Sequence, residues 1–173
     1  MCAVSLPKPE DCLYAAGYCE ENVWQLCAWI RQNKPNIIPQ FYAIFISNPN
    51  KVIPLWEQRI GAPEKEGLVL WDYHVILLYI PQSETENEPL VWDLDSGLPF
   101  PCPWPVYSQR AIRSDHVLLQ RYQRCFRVIG APDFLLTFAS SRAHMRLSNG
   151  DWLSPPPPWE PIATPGYWAG KIV

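Results

Sequence analysis

The sequence predicts an α+β fold, and three observations carry that prediction. An amphipathic helical pattern stands near the start of the chain, period-two strand patterns follow it, and 173 residues with 48% hydrophobic content supply one substantial core and no more. A single domain over residues 1–173 is expected. Only 18% of the residues are charged, and nine Trp, eight Tyr and six Phe need burial, which excludes disorder throughout, collagen and a long coiled coil. With 14 basic and 17 acidic side chains the net charge is -3, so no global field draws in nucleic acid or anionic lipid. The start, Met1 to Asp11, has no apolar run long enough for a signal peptide or anchor, and the most apolar region, Leu68 to Ile80, is interrupted by Asp72 and His74 and is too short to span a bilayer. Neither nucleic acid nor membrane is an expected partner. Six Cys include no Cys-x-x-Cys pair, which argues against a zinc knuckle or dithiol centre. Their even count also suits a disulfide framework, but without a secretory signal the reading is free thiols in a reducing compartment.

The helix is read from Glu20 to Arg31. Val23, Leu26, Cys27 and Ile30 recur on one face, Glu20 and Glu21 stand where first-turn amides favour negative charge, and Lys34-Pro35 marks the stop. Cys19 opens this helix. Unpaired backbone amides there can hold a thiolate, although the two glutamates oppose that and a cationic partner is needed; the plainer reading is a small buried hydrophobe. Cys27, in mid-helix, is structural.

Phe41 to Ile46 and Lys51 to Trp56 read as strands joined through Ser47-Asn48-Pro49-Asn50, with Pro54 marking an edge or an interruption. Leu68 to Ile80 reads as one strand, central because both faces are apolar. Its period puts Leu70, Asp72, His74, Ile76 and Leu78 on one side. His74 then needs a buried partner. Leu90 to Asp95 supplies one: in an antiparallel hairpin pairing Ile76 with Val91, the Cβ atoms of His74 and Asp93 stand roughly 4.5–5.5 Å apart. A shift of two residues substitutes Asp95, and periodicity leaves that choice open. Cys19, His74 and an Asp are together a nucleophile, a base that also raises the thiolate fraction, and an orienting acid, the set used in thiol acyl transfer. The same His and Asp also read as a pair that merely satisfies itself in a core.

Further on, Ser114 caps a helix to about Arg124, Cys125 to Ile129 forms a short strand, and Pro132 opens a short helix with Phe134, Leu135 and Phe138. Cys102 and Cys125 read as packing residues, and His116 and His144 as surface or locally bonded groups. Arg110, Arg113, Arg121, Arg124 and Arg127 read as a solvated basic face. Twenty Pro stand against eight Gly; Pro99 to Pro105 and Pro155 to Pro165 should be extended coil. Pro155 to Trp159 has the character of a polyproline II ligand for an SH3- or WW-type domain, or of a rigid strap docked by Trp152 and Trp159.

Several ordered strings resemble the protein N-terminal glutamine amidohydrolases. They are Tyr18-Cys19-Glu20-Glu21-Asn22-Val23-Trp24, Trp71-Asp72-Tyr73-His74-Val75, Asp93-Leu94-Asp95 followed by Leu98 to Cys102, Phe138 to Met145, and the run Pro155 to Pro158. The resemblance runs from about Asp11 to Pro161. It implies a papain-like or transglutaminase-like thiol enzyme core, a helix bearing Cys packed on an antiparallel sheet bearing His and acid, with Cys19 as nucleophile, His74 as base and Asp93, not Asp95, as acid. It implies a monomeric hydrolase that converts the N-terminal Gln of proteins or peptides to Glu in cytoplasm and nucleus, on the arginylation branch of protein degradation, with no cofactor and no metal. It also favours the strap over the docking motif. Glu20, Glu21 and Asp72 are the candidates for the substrate's free α-ammonium. Family members continue past the proline run with further core sequence, so a shortened form lacking part of its packing is expected from residue 155 onward. Other expectations compatible with the residues are a non-catalytic Pro-rich interaction module and another papain-like amidase or protease.

Overall fold

Helix α1 (Cys19–Asn33) forms where the apolar face predicts it: Val23, Leu26, Cys27 and Ile30 are all buried. The protein is seen in a computed structural model that describes residues 6–82 and 88–164; the final Pro165–Val173, with Tyr167 and Trp168, lies outside them. After α1 come strands β1 (Phe41–Ser47), β2 (Ile53–Leu55), β3 (Val69–Trp71), β4 (Tyr73–Tyr79), β5 (Leu90–Trp92), β6 (Cys102–Pro103) and β7 (Cys125–Gly130), with short helices α2 (Trp104–Tyr107) and α3 (Ala131–Thr137). Five strands make one antiparallel sheet in the order β6-β5-β4-β1-β7; β2 and β3 pair separately. The architecture is α+β. Among the described residues no helix is long and apolar enough to cross a membrane.

The sheet is covered on both faces, because β1 and β4 are apolar on both. Ala43, Val75, Leu77 and Tyr79 pack with α1 and with Phe134 and Leu135 of α3. Ile44, Ile46, Ile76 and Val91 pack with Ile53 and Leu55 of β2 and with Tyr107, Ala111 and Ile112 beyond β6. β4 lies in the middle of the sheet, as expected from its two apolar faces.

Several local expectations are corrected. The strand read from Leu68 to Ile80 is two strands: at Asp72 the side-chain Oδ1 accepts the Tyr73 N–H at 2.9 Å, and β3 leaves for the smaller sheet. β2 pairs with β3 instead of returning along β1. The region from Ser114 to Arg124 is not one helix but two 3-10 turns, Asp115–Val117 and Gln120–Tyr122, the first capped by the Ser114 hydroxyl. Pro105 lies in the first turn of α2, where a missing N–H costs nothing, so this proline segment is not coil throughout. Arg124 is not on a solvated face. It is buried, and its guanidinium donates to Asp115 and to the carbonyls of Pro54, Ile112 and Arg113, tying together chain segments that are not paired with one another by any strand ladder. Cys125 is exposed on edge strand β7 rather than packed, while Cys102 is buried.

Candidate active site

Cys19 is the first residue of α1, and the chain around it is clamped from several sides. The Asn22 side chain accepts the Ala15 N–H at 2.8 Å and donates to the Ala15 carbonyl at 2.9 Å, which folds the approach loop back on the helix. Gly17 has φ 82, and a Cβ there would stand 3.1 Å from the Met145 side chain, so glycine alone fits the entry to the helix. Glu21, fully buried, accepts Arg142 Nε at 2.9 Å, Arg142 Nη2 at 2.8 Å and Trp159 Nε1 at 2.8 Å. The Tyr18 hydroxyl donates to the Ser154 carbonyl, and the Ser154 hydroxyl to that of Ala16. The proline segment is a strap across the start of α1, with Trp159 as its anchor.

His74 is fully buried in β4 opposite Ile46, with the Trp71 ring stacked on it at 5.0 Å. Its Nε2 lies 2.8 Å from Asp93 Oδ1. The strand register is the shifted one: Leu78 pairs with Val91 and Leu77 with Trp92. Continued, that ladder would set Asp95 opposite His74. It stops at Trp92, because Asp93 Oδ1 accepts the Asp95 N–H at 3.0 Å and folds the chain into a turn that brings Asp93 itself to the imidazole. Asp93 Oδ2 accepts the Tyr107 hydroxyl at 2.7 Å and Gln58 Nε2 at 3.1 Å, and Gln58 Oε1 accepts Trp71 Nε1 at 3.2 Å.

Four donors on one carboxylate decide its charge. Burial alone would raise Asp93, but the His74 charge and hydrogen bond, with Gln58 and Tyr107, outweigh it and hold the acid at about 2. An ionised Asp93 can only accept, so the proton on the imidazole sits on Nε2. Burial also opposes the imidazolium, yet Asp93 and then Asp95 raise His74 above its usual value. The other ring nitrogen, Nδ1, is buried with no hydrogen-bond partner among the described residues. It is the position from which this base can act on something else.

Cys19 is 8% exposed. Burial pushes its thiol well up, Glu20 and Asp95 push it further, and only the hydrogen bond from the Val75 N–H works the other way. The expected gain in thiolate is therefore absent at rest, and the sulfur stands as a neutral thiol 3.5 Å from Glu20 Oε2. That Val75 amide belongs to the residue after His74, which links the α1 start to β4. Cys19 stands outside the cluster of His74, Asp93 and Asp95, whose donor atoms all lie within 4.8 Å of one another. Such a spacing suits a metal ion, but Asp93 is saturated with donors and His74 Nε2 is one of them, so these side chains form a hydrogen-bonded network instead.

A cavity of about 210 Å³ opens on Cys19, lined also by Trp71, Asp72, Tyr73, Asp95, His144, Met145 and Leu153. Two acids and one histidine make it acidic. Of the three ammonium candidates, Glu21 is committed to Arg142 and Trp159, Glu20 is bonded by Tyr73 and the Cys19 thiol, and Asp72 faces the cavity from an exposed position. Asp95 lines it too, and neither its place there nor that of His144 is among the sequence expectations. A second acid two residues from Asp93 was the available signal for the first; for His144, Gln58 and Tyr107, which come from remote segments, periodicity offers none. Another depression, lined by Lys8, Glu10, Trp29 and Lys34 at the far end of α1, holds neither cysteine nor histidine.

The chain is 42% identical over 158 residues to the protein N-terminal glutamine amidohydrolase of Bos taurus, covering 91% of this chain and 74% of that protein. The protein of the same name in Homo sapiens is 42% identical over 158 residues, 91% of this chain and 75% of its own, and that of Drosophila melanogaster is 43% identical over 156 residues, 90% and 74%. Residues 14–169 match the family described as N-terminal glutamine amidase. A match over that much of the chain, embracing the helix start, the central strand and the acidic turn, makes this protein a member of the N-terminal glutamine amidase family.

Proposed function

We propose that this chain hydrolyses the side-chain amide of an N-terminal Gln, giving N-terminal Glu and ammonia, with Cys19 as nucleophile, His74 as acid and base, and Asp93 as the group that orients His74. The reading rests on the family match together with one observation: a buried imidazole whose Nε2 is held by an ionised Asp93 and whose Nδ1 is unpartnered, next in sequence to the residue whose amide bonds the Cys19 sulfur. A helix start bearing Cys against an antiparallel sheet bearing His, with the acid at the end of the neighbouring strand, resembles the papain- and transglutaminase-like plan, and it supports the same chemistry.

Because the resting thiol is neutral, attack and proton transfer go together. His74 Nδ1 takes the thiol proton as sulfur adds to the Gln carboxamide carbon, and Asp93 stabilises the imidazolium. The Val75 N–H favours the sulfur anion, and the N–H of Cys19, which as the first residue of α1 has no intrahelical acceptor, supports the developing oxyanion. The imidazolium then protonates the departing ammonia. In the second half His74 takes a proton from water, which adds to the thioester and releases Glu and the thiol. A cavity of about 210 Å³ is below the range of about 300–1,000 Å³ usual for drug-sized ligands, which favours one terminal residue over a length of peptide. Its acidic lining suits a free α-ammonium. The test is ammonia release from a peptide with N-terminal Gln, compared with its N-acetylated form and with Cys19→Ala: release from the free peptide only, absent in Cys19→Ala, is expected. Equal rates from Cys19→Ala and the parent refute the mechanism, and equal rates on acetylated peptide refute the terminal specificity.

A further inference from the structure

We propose that Asp95 pins the α-ammonium of the bound Gln residue and thereby keeps the acyl-enzyme from closing on its own amine. The inference rests on the reading above and concerns what happens after ammonia has left. At that stage the side-chain carbonyl carbon is a thioester on Cys19, and the α-nitrogen of the same residue can complete a five-membered ring with it. Closure would form the N–C bond, break the S–C bond, pass the amine proton to His74 or the sulfur, and release a pyroglutamyl peptide with the thiol restored. No water is consumed. Well-oriented intramolecular attack reaches effective molarities of roughly 10⁵–10⁸ M, so water wins only if the amine is disarmed. A free α-amino group has a pKa of about 7.7–8.0, which leaves an appreciable unprotonated fraction near neutrality. A carboxylate within about 4–6 Å both keeps it protonated and fixes its direction.

Asp95 is the acid that fits this task. It lines the cavity that holds Cys19, and its charge acts on that thiol. It is 5% exposed, and its Oδ1 is fixed by the Tyr14 hydroxyl at 2.6 Å. Among the described residues no donor is bonded to Oδ2, so one oxygen of a held carboxylate is available to an arriving ammonium. The other acids are less suited: Glu21 is saturated, Glu20 is bonded beside the sulfur where the reacting amide must come, and the Asp72 carboxylate accepts the Tyr73 N–H from an exposed position. Asp95 also lies beside the His74–Asp93 pair, its carboxylate within 4.8 Å of both, so an ammonium held there stays within the catalytic cluster.

Both routes release ammonia, but their peptide products differ in mass by one water. The full chain and Asp95→Asn are incubated with a Gln-terminal peptide, ammonia is measured, and the ratio of lactam to Glu product is read by mass spectrometry, with Cys19→Ala giving the background of spontaneous cyclisation. The parent should give Glu almost alone. Asp95→Asn should raise the lactam-to-Glu ratio about tenfold or more, the factor that corresponds to one unit of amine pKa. An unchanged ratio with Cys19-dependent ammonia still released overturns the proposal. If Asp95→Asn releases none, Tyr14→Phe decides, since Tyr14 is 43% exposed and lies outside the core: it should shift the ratio in the same direction by a smaller factor, and no shift overturns the proposal. A parent without Cys19-dependent ammonia is a different failure, that of the underlying reading, because neither product then forms.

Discussion

Replacing Asp93 with Asn changes one atom and disturbs four hydrogen bonds. Asp93 Oδ1 accepts from His74 Nε2 and the Asp95 N–H, and Oδ2 from Tyr107 and Gln58. An amide has one acceptor oxygen, so two buried donors must face its NH₂. Each costs about 1–3 kcal/mol where it cannot turn away, and the loss of one member of a buried charged pair costs about 3–5 kcal/mol. Tyr107 can rotate its hydroxyl, but Gln58 is held in orientation by Trp71 Nε1 on its oxygen. We expect destabilisation of about 3–5 kcal/mol in urea unfolding, within the roughly 5–15 kcal/mol available to a folded domain. Turnover should fall much further. With the negative charge gone, the imidazole is free to adopt the other tautomer, placing its proton on Nδ1 where the thiol proton must arrive; in a Ser-His-Asp triad the equivalent change lowers kcat about 10⁴-fold. Ammonia release should be measured on protein shown to be folded by circular dichroism, beside Asp95→Asn, which should release ammonia far faster than Asp93→Asn. A folded Asp93→Asn within about tenfold of the parent would refute the orienting role, and the reverse order of the two variants would transfer it to Asp95.

Arg142→Leu should destabilise the protein by about 3–5 kcal/mol, because it leaves the fully buried Glu21 carboxylate without its cation; a smaller loss in Arg142→Leu/Glu21→Gln than in the single variant would confirm the cause by urea melts. The Asp93 carboxyl is depressed, so the stability it provides is present above its unfolded value of 3.8 and lost as pH falls through about 2; buried as it is, that corresponds to about 2 kcal/mol, and a titration of unfolding free energy should show that acid loss flattened in Asp93→Asn. His74 is raised, so its share of the pair is fully present below its unfolded value near 6.5 and fades as pH rises through the higher folded value. Peptides beginning with Gln should exceed matched Asn peptides in kcat/KM by about 10–200-fold, since one missing methylene withdraws the amide from Cys19; equal values would reject the cavity as the substrate pocket.

The elements that place the site were legible where one local pattern decides them. Val23, Leu26, Cys27 and Ile30 announce α1, and two apolar faces announce β4 as a central strand. The break at Asp72 was hidden, because a short side chain bonding the next backbone amide leaves the alternation on both sides intact. The choice between Asp93 and Asp95 was also out of reach of strand pairing: the ladder takes the register that favours Asp95, while an Asx turn, a side-chain event, brings Asp93 to His74. Gln58 and Tyr107 come from segments whose position depends on packing around Arg124 and β2, which no periodicity encodes.

The ion pair and indole bond on Glu21 join positions 121 and 138 residues apart in the chain. Contacts of such separation close large loops and are intrinsically late to form, whereas β1 with β4 and β4 with β5 are nearer neighbours along the chain. Assembly therefore has an order: the sheet that carries His74 closes shorter loops than the Glu21 clamp, so the start of α1 can pack on β4 first and the strap that locks it in place is the last piece to dock.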